Sequence, residues 1–364
     1  IKEMREELSK IFSIQENQDE RTSKSDEIVI NDPTDSLGTT PTSPQLPIQE
    51  VNPSEELIQP IQQEVTSGDA KLEEIWIGTD DSRSDIVLQH ENLDNLNIMI
   101  TGSSGSGKTQ LLKYIICKIR EQQKNVLILD FKKEFAGDEV FEEWASLESL
   151  YVNFEGLTFN PLIPMPKVNP RDGELVVQIG QHISGLASVL KRTYGLGTQQ
   201  HMALKNAISE SFIEMGFQTS GNSIFDHSRE FPDFNNVGEK LKDSNLNAYN
   251  RLDPLFTLDL FPSENRGNSF EELTKKSIII DLSDIPSVEV RDSIADIILL
   301  STQNFYQAQP QSGNIRQVIV FDEAHRILGS NYIENSVREC RSWGVGMILS
   351  SQMPRDFSGN VNSF

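Results

Sequence analysis

The feature that most constrains this chain is a glycine-rich segment at residues 102–109, which reads GSSGSGKT. An apolar run at residues 96–101 leads into it, and residues 109–122 continue with apolar side chains at helical spacing. Strand, loop and helix in this order are the context in which the pattern GxxxxGK[ST] holds phosphate groups. The segment therefore predicts a nucleotide site built on a parallel sheet.

Each residue type in this loop has a physical role. The glycines let the backbone fold into a concave nest of N–H groups, and the positive end of the following helix points at the same phosphates. The lysine, which we also count as catalytic, reaches the β- and γ-phosphates, and the threonine hydroxyl binds Mg²⁺. We therefore expect ATP and Mg²⁺ as cofactors. The binding residues are predicted to be Gly102, Ser103, Ser104, Gly105, Ser106, Gly107, Lys108 and Thr109.

An acidic pair ends another apolar run, at residues 317–321. This strand delivers Asp322 to the rim of the sheet, where its carboxylate can hold the hydration shell of Mg²⁺. Glu323 follows at once and can polarise an attacking water, which makes it the predicted catalytic base. His325 has two readings, as a coupling residue or as an ordinary residue at a helix start.

Gln352 follows the last apolar strand in the sequence Ser350-Ser351-Gln352. An amide at this edge of the sheet can sense the γ-phosphate or orient the water, so Gln352 is a candidate catalytic residue. The alternative is a polar residue that simply ends a strand.

Two arginines precede that strand. Arg338 and Arg341 are three residues apart and share a helix face, and Gly344 has the character of a helix stop. One of the two arginines can act as a finger that stabilises transition-state charge, often on the site of a neighbouring subunit. The alternative is a solvated basic face.

The remaining hydrophobic pattern is that of an α/β fold, a mostly parallel sheet with helices on both faces. Strands are predicted at residues 74–78, 86–88, 125–130, 277–282, 317–322 and 345–350. Residues 161–275 interrupt this rhythm as a helical insertion. Helices are predicted at residues 174–192, 198–215, 236–248 and 289–307.

The charge of the chain restricts its partners. The net charge is −23, and residues 1–80 alone hold 18 acidic and 6 basic residues. Such a chain is no passive polyanion binder, because phosphate contacts need Lys and Arg. A nucleic-acid contact must come from a local basic patch, another domain or the inner surface of an assembly. Weak basic clusters such as Lys132-Lys133 read as ordinary surface.

The first part of the chain differs in composition from the rest. Residues 1–14 have the spacing of a short amphipathic helix, whereas residues 15–70 are rich in Pro, Ser, Thr and Glu. Such a segment buries too little apolar surface to offset its ordering entropy. We predict an acidic, disordered linker over residues 1–70, either a spacer or a segment that docks a partner, and one ATPase domain over residues 71–364.

The cysteine content and the hydropathy of the chain indicate the cellular compartment in which the protein works. Cys117 and Cys340 are the only cysteines, and neither has metal-ligand spacing to another Cys or His. This indicates a reducing environment without structural zinc, and we expect a cytoplasmic protein. No run of about 18 apolar residues occurs, so no membrane contact is predicted.

Taken together, the motifs resemble the HerA/FtsK superfamily of P-loop motor ATPases, and most closely its HerA branch. The resemblance covers residues 72–364 and rests on IWIGTDD, NIMITGSSGSGKTQLL, NVLILDFKKEF, the NPL at residues 160–162, VIVFDEAHRIL and VRECRSWGVGMILSSQMP. Within that branch the chain resembles the ATPase portion of restriction proteins that depend on DNA phosphorothioation. The resemblance implies a RecA-like, additional-strand P-loop NTPase core that assembles with itself as a hexamer or other ring.

The same resemblance implies the partners of the chain and the process that ATP hydrolysis drives. Double-stranded DNA would be translocated or remodelled, and a nuclease or another effector subunit of a defence or processing complex would join the ring. The sequence departs from the family at both ends. Residues 1–70 lack the family's N-terminal domain, and the chain stops soon after Gln352, so the domain is expected to be truncated there.

Two other functions stay open at this point. One is a nucleotide-gated scaffold that assembles effector subunits with little turnover, a role against which the predicted base Glu323 argues. The other is a secretion-type coupling ATPase that moves protein or single-stranded DNA at a membrane. Turnover measured with duplex DNA, single strands and no DNA separates these readings.

Overall fold

A computed structural model of the chain describes residues 73–88, 97–226, 228–262, 269–330, 333, 338–340 and 342–357. The predicted N-terminal helix and linker, together with Arg341, lie outside the described residues. No described helix combines the length and the apolar character needed to cross a membrane.

The described part alternates strands and helices. In chain order the strands are β1 (Ile75–Thr79), β2 (Asp85–Leu88), β3 (Asn97–Thr101), β4 (Asn125–Asp130), β5 (Glu148–Tyr151), β6 (Lys167–Val168), β7 (Leu175–Val177), β8 (Ser223–Ile224), β9 (Ile278–Asp281), β10 (Gln317–Phe321) and β11 (Val345–Ser351). The helices are α1 (Lys108–Glu121), α2 (Glu139–Ala145), α3 (Val152–Glu155), α4 (Ile179–Thr193), α5 (Thr198–Glu214), α6 (Phe234–Ser244), α7 (Leu246–Leu258), α8 (Ser269–Lys275) and α9 (Val288–Gln307).

The centre of the fold is a six-stranded sheet with the order β3-β11-β10-β4-β9-β5, and every pair in it is parallel. Parallel strands need crossover connections, and two of these contain helices: α1 lies between β3 and β4, and α9 lies between β9 and β10. Strands β9, β10 and β11 are buried along their whole length. This explains their continuous apolar runs, because helices cover both faces of such a sheet.

Alternation along β4 separates two apolar cores. Leu127 and Leu129 pack in the cluster that contains buried residues of α9, whereas Val126 and Ile128 pack in the cluster that contains buried residues of α1. Successive side chains of a strand point to opposite faces, so one strand serves both cores. Full burial of one such side chain contributes about 1.5–3 kcal/mol to folding.

Between β5 and β9 the chain forms the helices α3 to α8 and a small sheet with the order β6-β7-β8. Two sequence predictions are corrected in this region. The helix predicted at 174–192 begins only at Ile179, because Leu175–Val177 forms strand β7 against its neighbours. The helix predicted at 236–248 is two helices, α6 and α7. They meet at Asn245, whose side chain accepts a hydrogen bond from Ala248 N and caps α7.

The strands β1 and β2 form an antiparallel hairpin at the start of the described region. Ile75 is buried in the same cluster as α1, and the Tyr114 hydroxyl of α1 donates a hydrogen bond to the Trp76 carbonyl at 2.9 Å. The hairpin therefore packs on the helix that follows the glycine-rich loop.

A candidate nucleotide site at the carboxyl edge of the sheet

Most of the predicted site residues follow three strands that are neighbours in the sheet, β3, β11 and β10. The order β3-β11-β10-β4 is parallel, so the carboxyl ends of these strands lie side by side at one edge. The glycine-rich loop follows β3, the acidic pair follows β10, and Gln352 follows β11. Ligands of open α/β sheets bind at this carboxyl edge.

The glycine-rich loop leaves its backbone open to a ligand. Gly105 and Gly107 have φ angles of 77° and 86°, in the left-handed region that L-residues with side chains avoid. A Cβ on Gly102 would overlap the Ser106 hydroxyl. No side chain caps the start of α1 in the described part of the chain, and the loop is exposed from Ser103 to Gly107. The first-turn N–H groups of α1 are thus available to an anion.

Lys108 and Asp322 come together beneath this loop. The Lys108 ammonium lies 3.7 Å from an oxygen of Asp322, and their side chains are 10% and 1% exposed. Burial and the negative charge of Glu134 raise the pKa of Asp322, while Lys108 and a hydrogen bond from Ser350 at 3.1 Å act in the opposite direction. The second carboxylate oxygen of Asp322 is buried and has no hydrogen-bond partner among the described residues. An orphaned carboxylate oxygen here fits the demand of a hard divalent cation for oxygen ligands.

Thr109 lies next to a second carboxylate. Its hydroxyl donates a short hydrogen bond to Glu134, a residue of the segment that follows β4. Thr109 is the predicted Mg²⁺ ligand of the loop, and a hydroxyl beside a carboxylate suits a Mg²⁺ ion that takes its remaining ligands from phosphates and water. The residues at this point of the site therefore fit the ion that the sequence predicted.

Asp130 shapes the segment that carries Glu134. Its buried carboxylate accepts hydrogen bonds from four backbone N–H groups, at Lys132, Glu134, Phe135 and Ala136. This fixes a tight turn directly after β4 and aims the side chains of the turn at the site. In the sequence this motif is visible only through family resemblance, and the structure supplies its physical reason.

Glu323 has an unusual backbone and three partners. Its φ angle is 66°, a left-handed conformation that costs a non-glycine residue about 1–2 kcal/mol. Its carboxylate accepts hydrogen bonds from the Lys132 ammonium and, at 3.3 Å, from the Gln352 amide, and His325 Nδ1 lies 3.4 Å away. Burial raises the pKa of Glu323, but the hydrogen bond and charge of Lys132 lower it more, and the net shift is downward. Strained residues of this kind concentrate at functional sites.

The structure brings Gln352 to the site but not Arg338. Gln352 contacts Glu323, as expected of a residue that follows β11. Arg338 lies on an exposed helical segment that precedes β11. Close to it in the chain, the Ser342 carbonyl accepts a hydrogen bond from Ser312 N, in the turn that leads into the start of β10. Arg338 is therefore near the amino edge of the sheet, opposite the glycine-rich loop of the same chain. His325 sits in a short 3₁₀ turn, Ala324–Arg326, with its side chain 44% exposed.

Sequence reasoning missed Lys132, which it treated as ordinary surface. The contact between Lys132 and Glu323 joins residues 191 positions apart. The available signal was its place two residues after Asp130, at the carboxyl edge of a strand that neighbours β10.

Comparison with known proteins is consistent with this geometry. Residues 86–143, less than a fifth of the chain, match a protein family described as the type IV secretion-system coupling protein DNA-binding domain. No curated protein sequence matches the chain. Among solved structures, VirB4 of Thermoanaerobacter pseudethanolicus has a TM-score of 0.59 and 19% identity, with 81% of each chain covered. This similarity shows the fold, a RecA-like P-loop core.

Two more distant structures are those of the bacterial conjugative coupling protein TrwB. Its unbound monoclinic form has a TM-score of 0.47 and 11% identity, over 72% of this chain and 63% of TrwB. The complex of the plasmid coupling protein TrwB with ADP and Mg²⁺ has a TM-score of 0.46 and 11% identity, over 72% of this chain and 65% of TrwB. This chain thus spans less than two thirds of those proteins, and at such distance the likeness supports no conclusion about function.

Proposed function

We propose that this chain is an ATPase that binds ATP·Mg²⁺ at the carboxyl edge of the sheet and couples its hydrolysis to the movement of DNA. The observation that carries the ATPase part is the buried contact of Lys108 with Asp322 below an open glycine-rich loop. It supplies a cation for the phosphates and an orphaned carboxylate oxygen for the metal in one place.

The residues of the site take the following roles in this proposal. The loop N–H groups and Lys108 hold the phosphates, while Thr109 and Asp322 would hold Mg²⁺, which would neutralise charge on the phosphate oxygens when bound. Glu323 takes the proton of the attacking water, and Gln352, which donates to Glu323 at 3.3 Å, orients that water. These groups sit on the ends of adjacent strands, so their positions are fixed before the nucleotide arrives.

Two lines support the DNA part of the proposal. Residues 86–143, which include β3, the glycine-rich loop and β4, match the coupling-protein DNA-binding domain family. The ordered motifs of the sequence also resemble motor ATPases that act on DNA. Because the chain is acidic overall, we propose that the DNA contact forms on the inner surface of a ring, a hexamer or another closed assembly, and not on a basic face of one subunit.

A motor of this kind could be a secretion-type coupling ATPase or a HerA-type defence ATPase, and the two receive unequal support. The family match favours the coupling ATPase of secretion type over the HerA-type defence ATPase. A restriction role like that of DptH, with a partner nuclease and duplex DNA, rests on the resemblance of the motifs alone. The HerA-type form remains a candidate because residues 130–135, an Asp with an acidic–aromatic pair four residues on, resemble the second-strand motif of the HerA branch.

ATP turnover of the protein without DNA, with single-stranded DNA and with duplex DNA tests the proposal. We expect turnover that DNA stimulates and that Lys108→Ala abolishes. Stimulation by single strands supports the secretion-type form, and stimulation by duplex alone supports the HerA-type form. ATP binding that depends on Lys108, without turnover under any condition, would contradict the motor and leave a nucleotide-gated scaffold.

A further inference from the structure

Lys132 makes a contact that the proposed hydrolysis leaves unexplained. Its ammonium group donates to the same Glu323 oxygen, Oε1, that accepts from the Gln352 amide. The Glu323 side chain is 5% exposed, whereas that of Lys132 is 37% exposed. One partner of the pair is therefore fixed in the interior, and the other is a flexible cation at the mouth of the site.

A second pair of contacts holds the same two chain segments together. The guanidinium of Arg326 lies over the ring of Phe131, 5.3 Å from its centroid, and pairs with Asp292 of α9 at 3.2 Å. Phe131 directly precedes Lys132, and Arg326 ends the 3₁₀ turn that begins after Glu323. The backbones at both ends of the Lys132–Glu323 contact are thus anchored independently, which leaves the lysine side chain as the movable part.

The contact conflicts with the role of a base. The ammonium and the amide together occupy Oε1 of Glu323, which leaves only Oε2, 3.4 Å from His325 Nδ1, to accept a proton from water. ATP changes this balance, because its terminal phosphate adds about two negative charges next to Lys108. Lys108 lies 3.7 Å from Asp322, which directly precedes Glu323, the residue that the Lys132 ammonium contacts. A dianionic phosphate attracts a lysine more strongly than a single carboxylate does.

We propose that Lys132 is a positioning residue that senses the terminal phosphate: it holds Glu323 in the nucleotide-free chain and moves to the γ-phosphate of bound ATP, which releases the carboxylate toward water. This inference rests on the proposed ATPase function. It assigns a residue of the turn after β4 to the discrimination between ATP and ADP, since only ATP has the phosphate that attracts the lysine.

Nucleotide affinities of the whole chain test this inference. Binding of ADP·Mg²⁺ and of a non-hydrolysable ATP analogue with Mg²⁺ is measured by calorimetry for the wild type, Lys132→Ala and Lys132→Arg. We expect Lys132→Ala to weaken the binding of the analogue by about tenfold or more, which is the effect of one charge-assisted hydrogen bond. The affinity for ADP is expected to stay within about twofold of the wild-type value. Lys132→Arg keeps the charge and is expected to restore most of the preference for the analogue.

Lys133→Asn is the matched control. Lys133 is the next residue and pairs with Asp284 at 3.2 Å, away from Glu323, and asparagine tolerates its φ of 61°. The control is expected to bind both nucleotides like the wild type. Lys132→Gln with unchanged melting temperature replaces Lys132→Ala if the latter unfolds.

The outcomes separate the inference from the function on which it rests. Equal changes in the affinities for ADP and analogue, or no change in either, overturn the role of Lys132. If Lys108→Ala binds the analogue as well as the wild type does, the proposed nucleotide site itself is wrong. A selective loss in Lys132→Ala together with complete loss in Lys108→Ala supports both.

Discussion

The Lys108 ammonium lies 3.7 Å from a carboxylate oxygen of Asp322, and the other oxygen of that carboxylate is buried without a partner in the described structure. Lys108 of the glycine-rich loop and Asp322 at the end of β10 are 214 positions apart in the sequence. Neither segment alone explains this arrangement. The pair leaves a buried negative charge only half satisfied, which costs free energy in the empty protein. A site with this cost is organised for a cation that the isolated chain does not supply.

Asp322→Asn is therefore expected to stabilise the nucleotide-free protein while it removes Mg²⁺-dependent binding. The pKa of Asp322 is raised because burial and the charge of Glu134 outweigh the attraction of Lys108, so an uncharged amide of the same shape is expected to raise the free energy of unfolding by about 1 kcal/mol. Differential scanning calorimetry with and without ATP·Mg²⁺ measures both effects. The wild type should gain stability from the nucleotide, and the variant should not. A variant that is less stable than the wild type when empty would show that Asp322 is fully satisfied by Lys108 and Ser350.

Glu323→Gln is expected to keep ATP binding and to stop hydrolysis. The amide preserves the size of the side chain, but it cannot take up a proton from water. We expect turnover to fall by roughly 10²-fold or more, the contribution of a general base, with nucleotide affinity within a few-fold of the wild type. Steady-state turnover and calorimetry on the same preparation measure the two. Activity close to that of the wild type would move the role of base to Glu134, which already binds the Thr109 hydroxyl.

The sequence predicts the parts of this site that depend on local pattern. Strand β4 has the predicted bounds, 125–130, because its apolar run is unbroken and faces a core on each side. The glycine-rich loop is also readable, since its glycines have to adopt positive φ whatever the rest of the fold does. Both signals are carried by consecutive residues.

Long-range partners and helix breaks are harder to predict. Nothing in the pattern around Glu323 indicates its left-handed φ or its lysine partner 191 positions earlier, because both follow from the order in which strands are paired. The break at Asn245 was missed for a different reason. An asparagine within a polar helix pattern reads as a weak helix former, and only its cap to Ala248 shows that a second helix starts there.

Asp296 of α9 forms an ion pair with Arg192 of α4, and its titration provides a test of this contact. Its carboxylate is fully buried and accepts a hydrogen bond from Arg192 Nε at 2.6 Å. Burial raises the pKa of Asp296 from 3.8 to about 6, although the charge of Arg192 acts against the shift. Folded protein thus binds this proton more tightly than unfolded protein between about pH 4 and pH 6. Stability from this group is present at low pH and is lost as the pH rises through about 6.

Asp296→Asn removes this titration, and the comparison with the wild type isolates it. From pH 4 to pH 7 the wild type is expected to lose up to about 3 kcal/mol of unfolding free energy relative to the variant. Urea unfolding of both proteins at several pH values measures the difference. If the wild type instead gains on the variant as the pH rises, the ion pair with Arg192 outweighs the cost of burial.

Arg338 and Arg341 test whether neighbouring subunits share a site. Arg338 lies near the amino edge of the sheet, so it cannot contact the γ-phosphate bound to its own chain, and only a neighbour in a ring brings the two together. Arg341 lies outside the described residues and is predicted from its spacing to Arg338. An arginine that stabilises transition-state charge contributes roughly 10³-fold to turnover. We therefore expect Arg338→Ala or Arg341→Ala to lose turnover by about that factor and to keep the ATP affinity of the single subunit.

Mixing of two inactive proteins decides whether this action is in trans. A subunit with Arg→Ala keeps its own site, and a Glu323→Gln subunit keeps its arginine but has no base. In a mixed ring the second can donate its arginine to the intact site of the first, so hydrolysis is expected to recover in part. Mixed rings are verified by mass spectrometry of differently tagged subunits. Absence of recovery in verified mixed rings would assign Arg338 a structural role, because Arg338 lies at the opposite edge of the sheet from its own site, and would leave Arg341 acting in cis or structurally.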